Sequence, residues 1–221
     1  MNVPKDIVCL IPTWCTSRHA IGAADSLRKY YPNIPIYFIN DRFTPDQEGQ
    51  WAQVYAKDVA RDGYDIDTDK LINYPNSCYI QREHEDFETD GHGKAITHAM
   101  QFIHAKWIVH ISTDIRLKEQ GILEQMFEDV DSKHCGVGDD WTRNGAPALG
   151  SWLFVFRGDL YHKYNLDFYA DRSKLCDIGM NYYSKLIEKG YKFDNHKNIF
   201  SRLVHLNGGR NGNLDNWDKY F

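Results

Sequence analysis

The chain has 221 residues, 42% of them apolar, with a formal charge of −5 and a pI near 6.0. That is enough apolar material for one sizeable core, with no compositional sign of disorder or a fibre. The acidic balance excludes a surface coated with basic patches, so nucleic acid is a disfavoured partner and an anionic substrate needs a metal or a local cluster to hold it.

In chain order, "DIVCLIPT" reads as a buried strand, and "SRHAIGAADSLRKYY" places Ala20, Ile21, Ala24, Leu27 and Tyr31 at helical spacing. Pro32 and Pro35 stop that helix before "IPIYFIN", a second apolar strand. A strand, a helix and a strand of this kind favour a parallel sheet covered on both faces, so the class is α/β. Residues 42–90 read as polar and irregular, with a short helix over Trp51–Ala60. Within them Asp65, Asp67 and Asp69 have calcium-loop spacing, but Lys70 stands where the loop needs Gly and Asn76 where it needs Glu. A solvated acidic turn is the better reading.

"DGHGKAITHAMQFIHAK" predicts a helix from about His92, with Ala95, Ile96, Ala99, Met100 and Ile103 inward. It runs into "AKWIVHISTDIRLK", where a β-branched strand ends abruptly in Ser-Thr-Asp. A helix over "EQGILEQMFEDV" and a Gly-rich connection follow, then the strand "GSWLFVFRGDLY" with a basic residue at its end. The last helix, "DIGMNYYSKLIEKG", carries Tyr183, Leu186 and Ile187 on one face and stops at Gly190, a suitable C′ residue. No repeat or interdomain linker interrupts residues 1–221, which read as a single domain whose tail, about 207–221, forms a loop over the site.

The cysteines Cys9, Cys15, Cys78, Cys135 and Cys176 make an odd count of five without a C-x-x-C pair. The first residues lack a charged segment followed by a long apolar one, and together these features imply a reduced, cytoplasmic protein. The longest apolar runs fall far short of the roughly 18 residues that cross a bilayer.

In open α/β sheets ligands bind outside the carboxyl ends of the strands, where helix N-termini also point. Asp41 after the second strand and Asp114 after "WIVHI" land on that edge. One can contact a nucleoside while the other contacts a metal bridging its phosphates; taken alone, Asp114 also serves to open the following turn. "DGHGK" at a helix start offers free N–H groups and the cation Lys94, a suitable neighbour for a diphosphate or simply a solvated lysine.

The order of "CLIPTW", "YFIND", "DGHGKAITHAM", "WIVHISTDI", "GSWLFVFR", "CDIGMNYYSKLIEKGYKF" and "VHLNGG" resembles the family 2-like glycosyltransferases of the GT-A fold, over about Ile7 to Gly209. The resemblance implies a GT-A, Rossmann-like domain with a mostly parallel central sheet flanked by helices. It implies that Pro12, Thr13 and Trp14 line the nucleoside and that Asp41 hydrogen-bonds base or ribose; Trp14 also suits an ordinary rim aromatic. The family's Asp-x-Asp metal motif falls on Ser112-Thr113-Asp114, so one carboxylate is missing. "LVHLNGG" resembles the segment that supplies a His to the metal, making His205 the second ligand of a Mn²⁺ or Mg²⁺, against a structural role for that residue. In "LCDIGMNYYSKLIEKGYKF", Cys176 takes the place of the family's Glu and Asp177 that of its catalytic Asp. An inverting transfer needs a carboxylate that removes the acceptor's proton, and Asp177 is the candidate base, its alternative role being the N-cap of the following helix. "DDWTRNGAPALGSW" lies where such enzymes shape the acceptor pocket, and Trp141, Arg143 and Trp152 suit stacking on a sugar or serve as core.

The implied activity is a metal-dependent, inverting transfer from a nucleotide sugar, UDP-sugars by family habit, to an acceptor hydroxyl. The acceptor is a glycan, a lipid-linked saccharide or, as a compact stand-alone transferase allows, a hydroxylated base in DNA, against which the negative charge and the only modest cluster Lys192, Lys197 and Arg202 weigh. Two other readings stand: a degenerate sugar-nucleotide or glycan binder, since Ser112 and Cys176 replace acidic family positions, and a sugar nucleotidyltransferase, although "PTWCTSR" lacks the Gly-rich loop that reaction uses.

Overall fold

A computed structural model describes residues 3–13, 17–43, 68–84, 91–138, 140–143, 146–149, 152–169, 178–195 and 197–206. β1 (Ile7–Thr13) leads through α1 (Ser17–Arg28) to β2 (Ile36–Phe43). The short α2 (Thr68–Ile72) precedes β3 (Ser77–His84), and α3 (Gly91–Ala99) carries the chain into β4 (Trp107–Ile111). Next come β5 (Ile115–Leu117), α4 (Ile122–Met126), β6 (His134–Gly138), β7 (Asp140–Arg143), β8 (Ala146–Leu149), β9 (Leu153–Arg157) and α5 (Gly158–Tyr164). α6 (Met180–Glu188), β10 (Lys192–Asn195), a 3₁₀ turn (Lys197–Arg202) and β11 (Leu203–His205) complete the order.

Seven strands form one sheet in the order β10-β6-β9-β4-β1-β2-β3. β1, β2, β3 and β4 run parallel, as do β6 and β10, while β9 is antiparallel to both its neighbours. The two-residue period of the strands sorts the core. Ile7, Cys9, Ile11, Val109 and Val155 pack with Ala20, Ala24 and Leu27 of α1 on one face. Val8, Leu10, Ile108, Phe154 and Phe156 pack with Ile96, Leu160, Tyr182 and Leu186 from α3, α5 and α6 on the other. Burial of both faces is why these strands are continuous apolar runs in the sequence.

Four expectations need correction. Residues 77–84, read as irregular, form a strand paired with β2 along eight positions; among its described side chains only Ile80 is buried, so backbone pairing holds it and hydropathy says little. The Gly-rich connection contains β6, a buried strand. A Cβ on Gly136 would stand 2.6 Å from the Val155 carbonyl oxygen and 2.8 Å from the Phe193 ring, so glycine is there for close packing. On α6 the buried side chains are Met180, Tyr182 and Leu186, and Ile187 is 39% exposed. The helix over "EQGILEQMFEDV" shortens to five residues. The Tyr31 hydroxyl accepts the amide protons of Gly121 and Leu123 at 3.1 and 3.0 Å and donates to Glu124 at 2.6 Å, replacing a local cap.

At the other end of α6, Gly190 has φ +84°, with Gly190 N–H on the Ile187 carbonyl and Tyr191 N–H on that of Leu186. This is the Schellman ending that Gly190 foretells. Tyr182 bolts α6 to the sheet: fully buried, its hydroxyl donates to the Cys135 carbonyl at 2.8 Å and accepts the Arg157 amide at 2.9 Å, beside the β6–β9 ladder. Tyr182→Phe is expected to cost about 1–3 kcal/mol by orphaning these groups, and Gly136→Ala about 1–3 kcal/mol through overpacking. Chemical unfolding of the two variants checks both values.

Candidate functional site

β1 has parallel partners on both sides, with the chain moving to β2 on one and returning through β3 and α3 to β4 on the other. The order reverses between β1 and β4, and the carboxyl ends of those strands form the crevice where such sheets bind ligands. Thr13, 3% exposed, and the half-buried Pro12 end β1; Ser112, Thr113 and Asp114 leave β4.

Asp114 is met from far along the chain. β11 pairs antiparallel with β5, setting His205 opposite Ile115, and the Leu206 amide donates to the Asp114 carbonyl at 2.9 Å. The register brings His205 Nε2 to 3.0 Å from Asp114 Oδ2. Trp152, considered above for acceptor stacking, lies behind this pair with its ring 4.8 Å from that of His205, while its carbonyl accepts the Ser112 amide at 2.8 Å. Asp114 holds the imidazole proton, raising the His205 pKa above 6.5 against the opposing effect of burial.

Two arginines fix the neighbouring backbone and carboxylates, and neither was singled out in the sequence. Arg82, directly opposite Asp41 in the β2–β3 register, pairs with it at 2.5 Å, both side chains being largely buried. Nothing local in the sequence links residues in two strands 41 positions apart. Arg116, 4% exposed, donates Nη1 to the Thr113 carbonyl at 2.7 Å and the Ile115 carbonyl at 2.9 Å, under the turn that presents Asp114. Burial lowers its pKa to about 10, with Asp114 and Asp25 acting in the other direction, so it stays charged at neutral pH. A basic residue inside the apolar triplet "IRL" was the available signal.

α3 opens at the same edge, with the half-buried Lys94 in its first turn. His92 ties that turn to β4: its Nε2 lies 2.8 Å from Nε2 of His110, which is wholly buried and stacks on Phe154 at 4.4 Å. Burial, then the facing His92, keeps the His110 pKa well below 6.5, so that imidazole is neutral.

Trp14, Cys176, Asp177 and the tail 207–221 lie outside the described residues, as do the Trp51–Ala60 segment, Asp65 and Asp67; Trp141 and Arg143 lie in β7, but their side chains are outside the described part. The N-cap residue of α6 is Gly179, at φ 80°. Of the basic trio, Arg202 is consumed internally by Glu119, the Gln125 side chain and the carbonyls of Gln120 and Gly121.

Asp114 and His205 fit a divalent cation in one respect. Donors at about 2.1 Å from an octahedral metal and at right angles to each other lie about 3 Å apart, which matches their separation. Among the described residues no group of three or more His, Cys, Asp or Glu side chains could hold a metal. No helix among the described residues is long and apolar enough to cross a membrane.

No protein-family model matches the sequence, and no curated protein matches it. Solved structures do match the fold. The mannosyltransferase PcManGT from Pyrobaculum calidifontis superposes with a TM-score of 0.56 at 12% identity, covering 88% of this chain and 55% of that one. The glycosyltransferase GlyE of Streptococcus pneumoniae gives 0.51 at 12% identity, covering 96% and 60%. The chain thus spans 55% to 60% of the length of these two proteins.

Asp114→Asn is expected to lower the His205 pKa towards 6.5, read from the imidazole NMR shifts as a function of pH. Because the folded pKa lies above the unfolded one, the pair stabilises the fold fully below about 6.5 and loses that contribution as pH rises through the folded value. Melting curves across that window should flatten in the variant. The likeness to these two structures, with the seven-stranded, mostly parallel sheet between its helices, gives this chain a GT-A fold.

Proposed function

We propose that the chain is a glycosyltransferase that moves a sugar from a nucleotide-sugar donor to an acceptor hydroxyl with inversion at the anomeric carbon. The observation that carries this reading is the contact of His205 with Asp114 at the carboxyl end of β4, at the reversal point of a GT-A sheet. Likeness to two glycosyltransferases supports the reaction class, and PcManGT is in complex with GDP-mannose and Mn²⁺. UDP-sugars remain the donor class by family habit, with GDP-sugars beside them on account of that neighbour.

In this reading Pro12, Thr13, Trp14 and Asp41 hold the nucleoside, and Lys94 faces the diphosphate. Arg82 restrains the Asp41 carboxylate so that little conformational freedom is lost when it binds. Asp114 and His205 would hold Mn²⁺ or Mg²⁺, which when bound supplies positive charge to the departing nucleoside diphosphate. His205 must then be neutral, so cation binding releases its proton and strengthens as pH rises. Asp177 accepts the acceptor hydroxyl's proton as that oxygen bonds to the anomeric carbon and the bond to the diphosphate breaks. Trp141, Arg143 and Trp152 belong to the acceptor side, where a glycan or lipid-linked saccharide is the favoured class. Consumption of Arg202 by its own neighbours counts against a DNA acceptor. Thiols at Cys9, Cys78 and Cys135 support a reducing, cytoplasmic setting for a single catalytic domain.

Thermal-shift titrations with UDP-, GDP-, CMP- and dTDP-sugars, each in Mn²⁺, Mg²⁺ or chelator, test the donor site. One nucleotide class should stabilise the wild type, and Asp114→Asn and His205→Ala should lose the metal-dependent part. Asp177→Asn should keep the donor shift and lose roughly 100-fold or more in transfer; full transfer by that variant removes its assignment as base. Donor binding without transfer to any acceptor would favour a non-catalytic binder, and no shift with any nucleotide rejects the donor site.

A further inference from the structure

His110 is a polar side chain in an apolar place. It stands one residue before the end of β4, wholly buried, with Leu10 of β1 and Phe154 of β9 beside it in the sheet and its ring stacked on that of Phe154. Its Nδ1 has no hydrogen-bond partner, so the imidazole costs stability that a phenyl ring of similar outline would not. The polar contact it does make is with His92, Nε2 to Nε2 at 2.8 Å. One proton fits between two nitrogens at that distance, so one ring donates and the other accepts. His92 lies in the first turn of α3, and Lys94 follows two residues later in the same turn. Gly91 and Gly93 flank His92, and glycine is a weak helix former, so this turn holds its shape poorly by itself. The contact with His110 ties it to a strand near the middle of the seven-stranded sheet.

We propose that His110 is a positioning residue for the donor: by holding His92 it fixes the first turn of α3 on β4 and so sets Lys94 beside the diphosphate. This rests on the donor-site reading above. Being wholly buried, His110 touches neither the nucleotide nor the reacting atoms. Its effect is to order the turn before the ligand arrives, which lowers the conformational cost of binding. The gain falls on the diphosphate that Lys94 meets, and the nucleoside, held by the ends of β1 and β2, does not share it.

Calorimetric titration of UDP, GDP, uridine and guanosine, on the wild type and on variants of the pair, tests the proposal. His110→Phe fills the same space and should melt no lower than the wild type, yet bind the preferred diphosphate roughly tenfold more weakly, with nucleoside affinity unchanged. His110→Gln, whose amide both donates and accepts, should recover most of the loss. His92→Ala, at a half-buried position with no core to disturb, should reproduce the loss, and combining it with His110→Phe should add nothing further. Lys94→Met and His110→Phe together should likewise lose less than the sum of their separate effects. Unchanged diphosphate binding in both His110→Phe and His92→Ala overturns the proposal while leaving the donor site intact. A loss that nucleoside and diphosphate share equally, or one that adds to that of Lys94→Met, marks a merely structural role and also overturns it. No nucleotide binding by the wild type overturns the donor-site reading and this inference together.

Discussion

The parallel pairing of β1 with β4 is the constraint from which the rest of the arrangement follows. Ile7 to Leu10 sit beside Trp107 to His110 in register, which sets the ends of the two strands side by side and opens a crevice between the connections that leave them. Parallel neighbours need crossover segments long enough to cover a face, and α1 and α3 do so from opposite sides. With both faces covered, the strand ends are among the few places where the central backbone meets solvent. Polar residues at those ends are therefore where chemistry has room to occur.

The site is built by contacts between distant parts of the chain, and the same device sustains the fold around it. Tyr31 caps α4 across 92 residues, and Tyr182 joins α6 to two strands. His205 reaches Asp114 across 91 residues because β11 closes on β5. A side chain held by such a contact has lost its rotamer freedom during folding, so little is left to lose on meeting a ligand. Trp152 contributes in the same way, its ring backing His205 while its carbonyl holds the start of the Asp114 turn.

Each carboxylate placed at the crevice also has a cationic companion: Arg82 for Asp41, and His205 with Arg116 for Asp114. Buried or half-buried carboxylates need such partners to remain ionised. The same partners leave the crevice far less negative than its aspartates alone imply, which suits an anionic ligand.

How much of this was legible in sequence differs with the range of the interaction. Local pattern was enough for the strand–helix–strand opening, the inward face of α3 from Ala95 to Ile103, the buried "WIVHI" strand and the stop at Gly190, because each depends on side-chain period or on one backbone conformation. The order of motifs, together with the position of Asp114 after an apolar strand, was enough to imply the sheet type and the edge that matters. Tertiary structure decided the rest. β3 is an edge strand held by backbone pairing, with almost no apolar signal, and the glycines of β6 look like a loop until Val155 and Phe193 are packed against them. β7 and β8, which pair antiparallel from Arg143 opposite Ala146, lie in the same stretch. The partners of Asp41 and Asp114 are set by strand register, and register is a property of two segments at once. Sequence alone thus determined which residue types stand at the strand ends, and only the fold decided which charges face one another there, because that depends on pairings between segments tens of residues apart.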